Sequence, residues 1–144
     1  MRIAAVDYGD VRTGFACSDS NETLAFPAGV AVEKDMSKVI TIIIEKIREI
    51  NAELLVIGLP RNMDGTEGKQ AQKCAELAER LRQQISIPVV TWDERVTTKI
   101  AVSIMNENDT RGRKRRNRID EVAATVILQS YLDYRKFNTV NEYS

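Results

Sequence analysis

Three carboxylates stand where an α/β chain could gather them: Asp7, Glu94 and Asp120. Asp7 ends the apolar run Ile3 to Val6, and Tyr8-Gly9 then turns the chain. Glu94 belongs to Asp93-Glu94-Arg95, which follows the apolar segment Pro88 to Trp92 at once. Asp120 shares a helical stripe with Ala124, Ile127 and Tyr131. Open α/β sheets place their ligands at the C-terminal ends of strands, where the first two acids fall. Clustered carboxylates repel one another, and a hard divalent cation such as Mg²⁺ or Mn²⁺ neutralises them. Two such ions about 4 Å apart can activate a water and stabilise the leaving oxygen of an in-line phosphodiester displacement. That chemistry needs no histidine, and the chain has none. Asp7 and Asp120 also have plainer readings. Asp before Gly is common turn chemistry, and Asp120 could answer a helix macrodipole behind an Asn117 cap.

Cations supply the second pattern. Arg111, Arg113, Lys114, Arg115, Arg116 and Arg118 put six positive charges into eight residues just before Asp120. A charge run is usually a solvated face. This one is of one sign, rich in Arg and interrupted by Gly112, which favours a flexible loop that seeks phosphate. Arg12, in the turn after Asp7, and Arg95, beside Glu94, complete the candidate phosphate contacts. Gly9 and the loop Leu59 to Gly68, with Gly58, Pro60 and Gly65, would wall the site. The loop is equally readable as a plain turn into the next helix.

The elements that must position these groups follow from periodicity. Strands are expected at Ile3–Val6, Thr13–Ser18 and Pro27–Val32, joined by short turns as an antiparallel meander. The spacing predicts a helix over Asp35–Asn51, with Asp35 or Ser37 as its cap. A right-handed crossover through it sets the next strand, Glu53–Gly58, beside the first. Helices are expected over Lys69–Gln84, Thr97–Asn106 and Asp120–Tyr134, with a strand at Pro88–Trp92 and a polar tail from Phe137 to Ser144. The fold class is thus α/β: a five-stranded mixed sheet, an antiparallel meander followed by parallel strands, flanked by helices.

At 144 residues the chain makes one domain, expected over residues 1–136, large enough to bury a core without staples. Lys+Arg and Asp+Glu are equal at 21 each, so global charge selects no partner. Cys17 and Cys74 are too few for a disulfide framework and read as buried thiols of a reducing compartment. No signal peptide or membrane-length apolar run is evident, so a cytoplasmic protein without membrane contact is expected. No recognition helix or stacking aromatic pair stands out, which leaves recognition of nucleic acid by shape and phosphate.

The motifs carry a resemblance. Val6-Asp7-Tyr8-Gly9 with Gly14, Gly58-Leu59-Pro60 with Asp64-Gly65-Thr66, Asp93-Glu94-Arg95-Val96-Thr97-Thr98, and Asp120 with Ala123-Ala124 and Ile127-Leu128-Gln129 resemble the YqgF family. Its members are provisionally described as pre-16S rRNA nucleases or Holliday-junction resolvases. The ordered set runs to about Leu132; Val96 stands where the family more often has Leu. The resemblance implies a ribonuclease H-like fold, with Asp7, Glu94 and Asp120 on the family's acidic catalytic positions. It further implies a metal-dependent phosphodiester endonuclease acting on precursor 16S rRNA or on branched DNA, with structured RNA, branched DNA or ribosome precursors as partners. A non-catalytic nucleic-acid-binding assembly factor is the alternative of another class. The Asp-x-Gly opening also resembles actin-like and sugar-kinase ATPases, whose second lobe 144 residues cannot supply.

Overall fold

The structure, a computed structural model, describes residues 1–60, 68–94 and 113–143, with the backbone alone for 113–120 and 138–143. Five strands, β1 (Ile3–Tyr8), β2 (Arg12–Ser18), β3 (Ala25–Val32), β4 (Leu54–Leu59) and β5 (Val89–Asp93), form one sheet in the order β3-β2-β1-β4-β5. The first three make the antiparallel meander, and β4 and β5 add in parallel. The crossover from β3 through α1 (Met36–Ile50) does set β4 beside β1, with Val6 opposite Ile57. Observed strands exceed or shift from the expected bounds by one or two residues, as ladder pairing runs on through Asp7-Tyr8, Arg12, Ala25-Phe26, Leu59 and Asp93.

Alternation along each strand divides the core in two. Ala4, Val6 and Tyr8 of β1, with Leu55, Ile57 and Leu59 of β4, face α1 and α2 (Lys69–Gln84). Ile3 and Ala5, with Leu54 and Val56, face the last helix, α3 (Arg113–Tyr143). β1 is therefore buried on both faces, as its uninterrupted apolar run requires. Asp35 caps α1, its carboxylate accepting from the Ser37 N–H at 3.0 Å, and Asn51 ends the helix in the left-handed region at φ 60°.

α3 departs most from expectation. It begins seven residues before Asp120 and runs on to Tyr143, through the stretches expected as a basic loop and as a tail. Arg and Lys are good helix formers, and that propensity, added to the packed centre of α3, outweighs the modest repulsion between like charges three and four residues apart. Once nucleated by its packed centre, the helix propagates into Phe137–Tyr143 at little cost.

Gln129 fixes where α3 lies on the sheet. It is 0% exposed, and its amide is fully engaged. Its oxygen accepts from the Ala25 N–H at 2.9 Å, while its nitrogen donates to the Thr23 carbonyl and to Asp133. A buried amide so paired admits few alternative dockings. Arg135, 2.8 Å from Glu22, holds the same end.

Candidate active site

Asp7 follows Ile3 and Ala5 in the alternation, so it faces α3. Its antiparallel partner is Gly14, and one step past the Val6–Ile57 pair on the other side comes Gly58. Neither flanking position carries a side chain. Glu94 follows directly after β5, its N–H donating to the Leu59 carbonyl at 3.2 Å. It continues the face of Val90 and Trp92, which also pack on the α3 side.

β4 lies between β1 and β5. Strands sit about 4.8 Å apart, so Asp7 and Glu94 start from backbones roughly 9.5 Å from one another. They nonetheless meet through a side-chain hydrogen bond. Gly58 makes this possible. A Cβ there would lie 2.5 Å from Glu94 Oε1 and 2.5 Å from Ile127 Cδ1. The missing side chain leaves the channel through which Glu94 reaches across the middle strand.

Two carboxylates in contact cannot both stay ionised cheaply. Glu94 is pushed up to about 8, first by burial, then by the Asp7 charge, the hydrogen bond to Asp7 and the Asp93 charge. Burial and the neighbouring charge therefore favour a proton shared by the pair. Cys74 of α2, beneath the same strand ends, is pushed up to about 12 by burial and by the charges of Glu94 and Asp7. A thiol so raised is no nucleophile. Nearby, Gln70 Nε2 donates to the Tyr8 carbonyl at 2.7 Å and ties the start of α2 to the end of β1. Gly9 closes the β1–β2 turn, where a Cβ would come within 2.5 Å of the Arg12 carbonyl oxygen.

Asp120 occupies α3 two turns in, one turn before Ala124. Macrodipole effects fade within the first turn, so the helix-terminus reading of this acid, and of Asn117 as cap, does not hold. Its side chain lies outside the described residues, among which no group of three or more candidate metal ligands occurs. Arg113, Lys114, Arg115, Arg116 and Arg118 lie on α3 rather than on a loop. Arg12 opens β2, half-buried. Gly58 belongs to β4 itself and Pro60 follows the strand. Arg95, Arg111, Gly65 and the helix expected at Thr97–Asn106 fall outside the described residues. The sequence marks Ile127 as an inward position of the last helix and Gly58 as a wall of the site, but it does not show the spacer role of Gly58 or its closeness to Ile127. A glycine inside a strand of Leu, Val and Ile was the available signal.

A family profile described as RuvX: Holliday junction resolvase matches residues 1–134. The chain belongs to this family. As a RuvX member it is 41% identical over 133 residues to a relative from Syntrophus aciditrophicus, covering 92% of this chain and 89% of that one. A second, from Caldanaerobacter subterraneus subsp. tengcongensis, is 41% identical over 137 residues, covering 94% and 99%. Both bear a provisional name, pre-16S rRNA nuclease. Among solved structures, T. thermophilus RuvC in complex with a Holliday junction substrate superposes with a TM-score of 0.64 at 12% identity, covering 96% of this chain and 97% of that one. The fowlpox virus resolvase bound to Holliday junction DNA gives 0.55 at 12% identity, covering 93% and 98%. At such identities the likeness concerns fold, and this RuvX chain has the ribonuclease H-like one. Among the described residues, no helix is long and apolar enough to cross a membrane.

Proposed function

We propose that this chain is a divalent-metal-dependent endonuclease that hydrolyses phosphodiester bonds at the 5′ end of precursor 16S rRNA. The observation that carries the reading is the Asp7–Glu94 pair, held together across Gly58 at the C-terminal edge of the sheet. Support for the substrate comes from the names of the relatives that this chain matches over most of its length.

The donor set suits a hard cation. Asp7 and Glu94 offer only oxygen, and in its absence they share a proton between them. Asp7, Glu94 and Asp120 would hold one or two Mg²⁺ or Mn²⁺ ions, which when bound supply Lewis acidity and an activated water. The chain itself does the rest. Glu94 gives up its proton to become a ligand. Pro60 and Gly65 wall the approach of a sugar–phosphate backbone, while the space over Gly58 is taken by Glu94 and Ile127 and that over Gly9 by the Arg12 carbonyl. Arg12, Arg95, Arg111 and the cations from Arg113 to Arg118 grip flanking phosphates, which fixes position without reading sequence.

Cleavage of precursor 16S rRNA and of a four-way DNA junction, assayed side by side with Mg²⁺, tests this. RNA shortened at the 5′ end, with Glu94→Gln inactive, is the expected result. Cleavage of the junction alone would favour resolution of branched DNA, the second reading, which the family description supports. Binding without cleavage of either would leave a non-catalytic assembly factor.

A further inference from the structure

Half of the chain's eight aromatic residues fall in one stripe that the catalytic proposal leaves unused. Trp92, at the end of β5, meets Tyr131 edge-on at 5.5 Å and Tyr134 at 5.1 Å with a 51° tilt. Phe137 follows one turn on along α3. Positions three apart on a helix fall back by about 60°, so the stripe rotates from the sheet towards solvent. Exposure follows that rotation: Tyr131 is half-buried, Tyr134 is 51% exposed and Phe137 67% exposed. A core cluster would be buried throughout. Among the described residues, the buried indole N–H of Trp92 meets no acceptor.

The place of the stripe bears on what could cover it. Trp92 stands two residues before Glu94 on an edge strand, about 7 Å along the chain at the usual rise per residue. A polynucleotide with a phosphate at Glu94 has its next bases within that distance. The other end of α3 carries the run from Arg113 to Arg118, so the helix joins cations to aromatics, the two components of single-strand grooves.

We propose that Tyr134 and Phe137, backed by Trp92 and by Tyr131 with the Arg135 guanidinium over its ring, form a stacking platform for unpaired bases of the strand that leads into the acidic site. The inference rests on the nuclease reading and adds that the flanking segment is single-stranded, because a duplex hides its base faces from side chains. Tyr134 and Phe137 offer the exposed ring faces, and Trp92, in contact with Tyr134, backs them from the sheet side.

Trp92 is the chain's single tryptophan, which gives the test its reporter. The full chain, in EDTA, is titrated with a single-stranded RNA oligonucleotide and with its blunt duplex, reading Trp fluorescence and the anisotropy of an RNA label. Saturable quenching by the single strand is expected, with affinity weakened roughly ten-fold by Tyr134→Ala and retained by Tyr134→Phe. Binding to duplex should be the same for all three proteins. If the parent binds single strands but Tyr134→Ala binds as tightly, without quenching in either, the platform is wrong and the nuclease reading stands. If the parent binds neither RNA, the platform is overturned, and the nuclease reading stands or falls on the cleavage assay with Mg²⁺. If quenching instead tracks protein concentration and sedimentation shows self-association lost in Tyr134→Ala, the stripe is an interface between copies and the platform is overturned.

Discussion

Gly58→Ala probes the geometry on which the site depends. The added methyl would sit 2.5 Å from both Glu94 Oε1 and Ile127 Cδ1, so each must retreat by about 1 Å to regain ordinary contact. Ile127 is 5% exposed, within a close-packed cluster of Ile3, Ala5, Val56 and Leu128. Overpacking of this kind costs about 1–3 kcal/mol, which at this chain length lowers Tm by roughly 2–4 °C for each kcal/mol. A retreat of Glu94 from Gly58 disturbs its hydrogen bond to Asp7. Displacing a catalytic group by 1 Å costs on the order of 10²-fold in rate. Urea denaturation and cleavage assays on Gly58→Ala, Ile127→Val and the double variant separate the two clashes. Ile127→Val removes Cδ1, so it should recover part of the stability lost to the alanine, with a coupling of at least about 0.5 kcal/mol. It should recover none of the cleavage, because the clash with Glu94 remains. A Gly58→Ala protein with the parent's Tm and activity would refute the spacer role outright.

Other perturbations test neighbouring links. Asp7→Asn should abolish cleavage while flattening the pH dependence of stability. Glu94 is raised in the folded chain, so between the ordinary 4.5 and about 8 the folded state holds a proton that the unfolded state has lost, and stability falls as pH rises through that window. Thermal melts in EDTA across pH 5–9 should show the variant losing less than the parent, and an equal or steeper loss would contradict the pairing. Glu94→Asp keeps the charge but shortens the arm by one methylene. Over strands roughly 9.5 Å apart it should fail to reach Asp7 and cleave far more slowly; parent-like rates would rule out the reach argument. Gln129→Ala leaves the Ala25 N–H buried without its partner and should cost about 1–3 kcal/mol in urea unfolding, against almost nothing if solvent replaces it. Replacing Arg113, Lys114, Arg115 and Arg116 together by Ala should flatten the slope of log K against log salt by about 0.7–0.9 for each phosphate no longer neutralised, and an unchanged slope would make the run a solvated face.

Legibility of the fold followed from where the sequence commits itself. The apolar run at Ile3–Val6 admits only a strand buried on both sides, and the period switch at Asp35 admits only a helix. Between them they force the meander, the crossover and the pairing of β4 with β1. α3 was misread because two local signals disagreed with the helix. Like charges in a row suggested a flexible loop that seeks phosphate, but Arg and Lys are good helix formers and the packed centre carries the helix through them; the polar stretch after Tyr134 suggested a tail, but it extends a helix already nucleated by Ala124, Ile127, Leu128 and Leu132. The start of α3 in turn changes what Asp120 can be. An acid two turns inside a helix has no orphan N–H groups to answer, so the electrostatic alternative that competed with a site role at the sequence level loses its physical basis.

The approach of Asp7 and Glu94 is the part the sequence hides, and the reason is geometric. Period-2 alternation assigns each acid to a face, and both were placed at C-terminal strand ends on that basis. It does not say that β4 intervenes, nor that the two side chains must therefore span twice the strand spacing. Only a position with no Cβ on that middle strand closes the gap, and Gly58 weakens β4 as a strand in order to provide it. The apolar contacts of Leu54, Leu55, Val56, Ile57 and Leu59, all buried, offset that weakness. A longer acid on the far strand and a shorter one on the central strand then follow as a matched pair. Exchanging them, as Asp7→Glu with Glu94→Asp, keeps charge and total length but moves the meeting point off Gly58 towards β5. Cleavage should not survive the exchange even though every ligand type is retained, and a fully active double variant would show that the pair needs only proximity, not the particular channel that Gly58 leaves open.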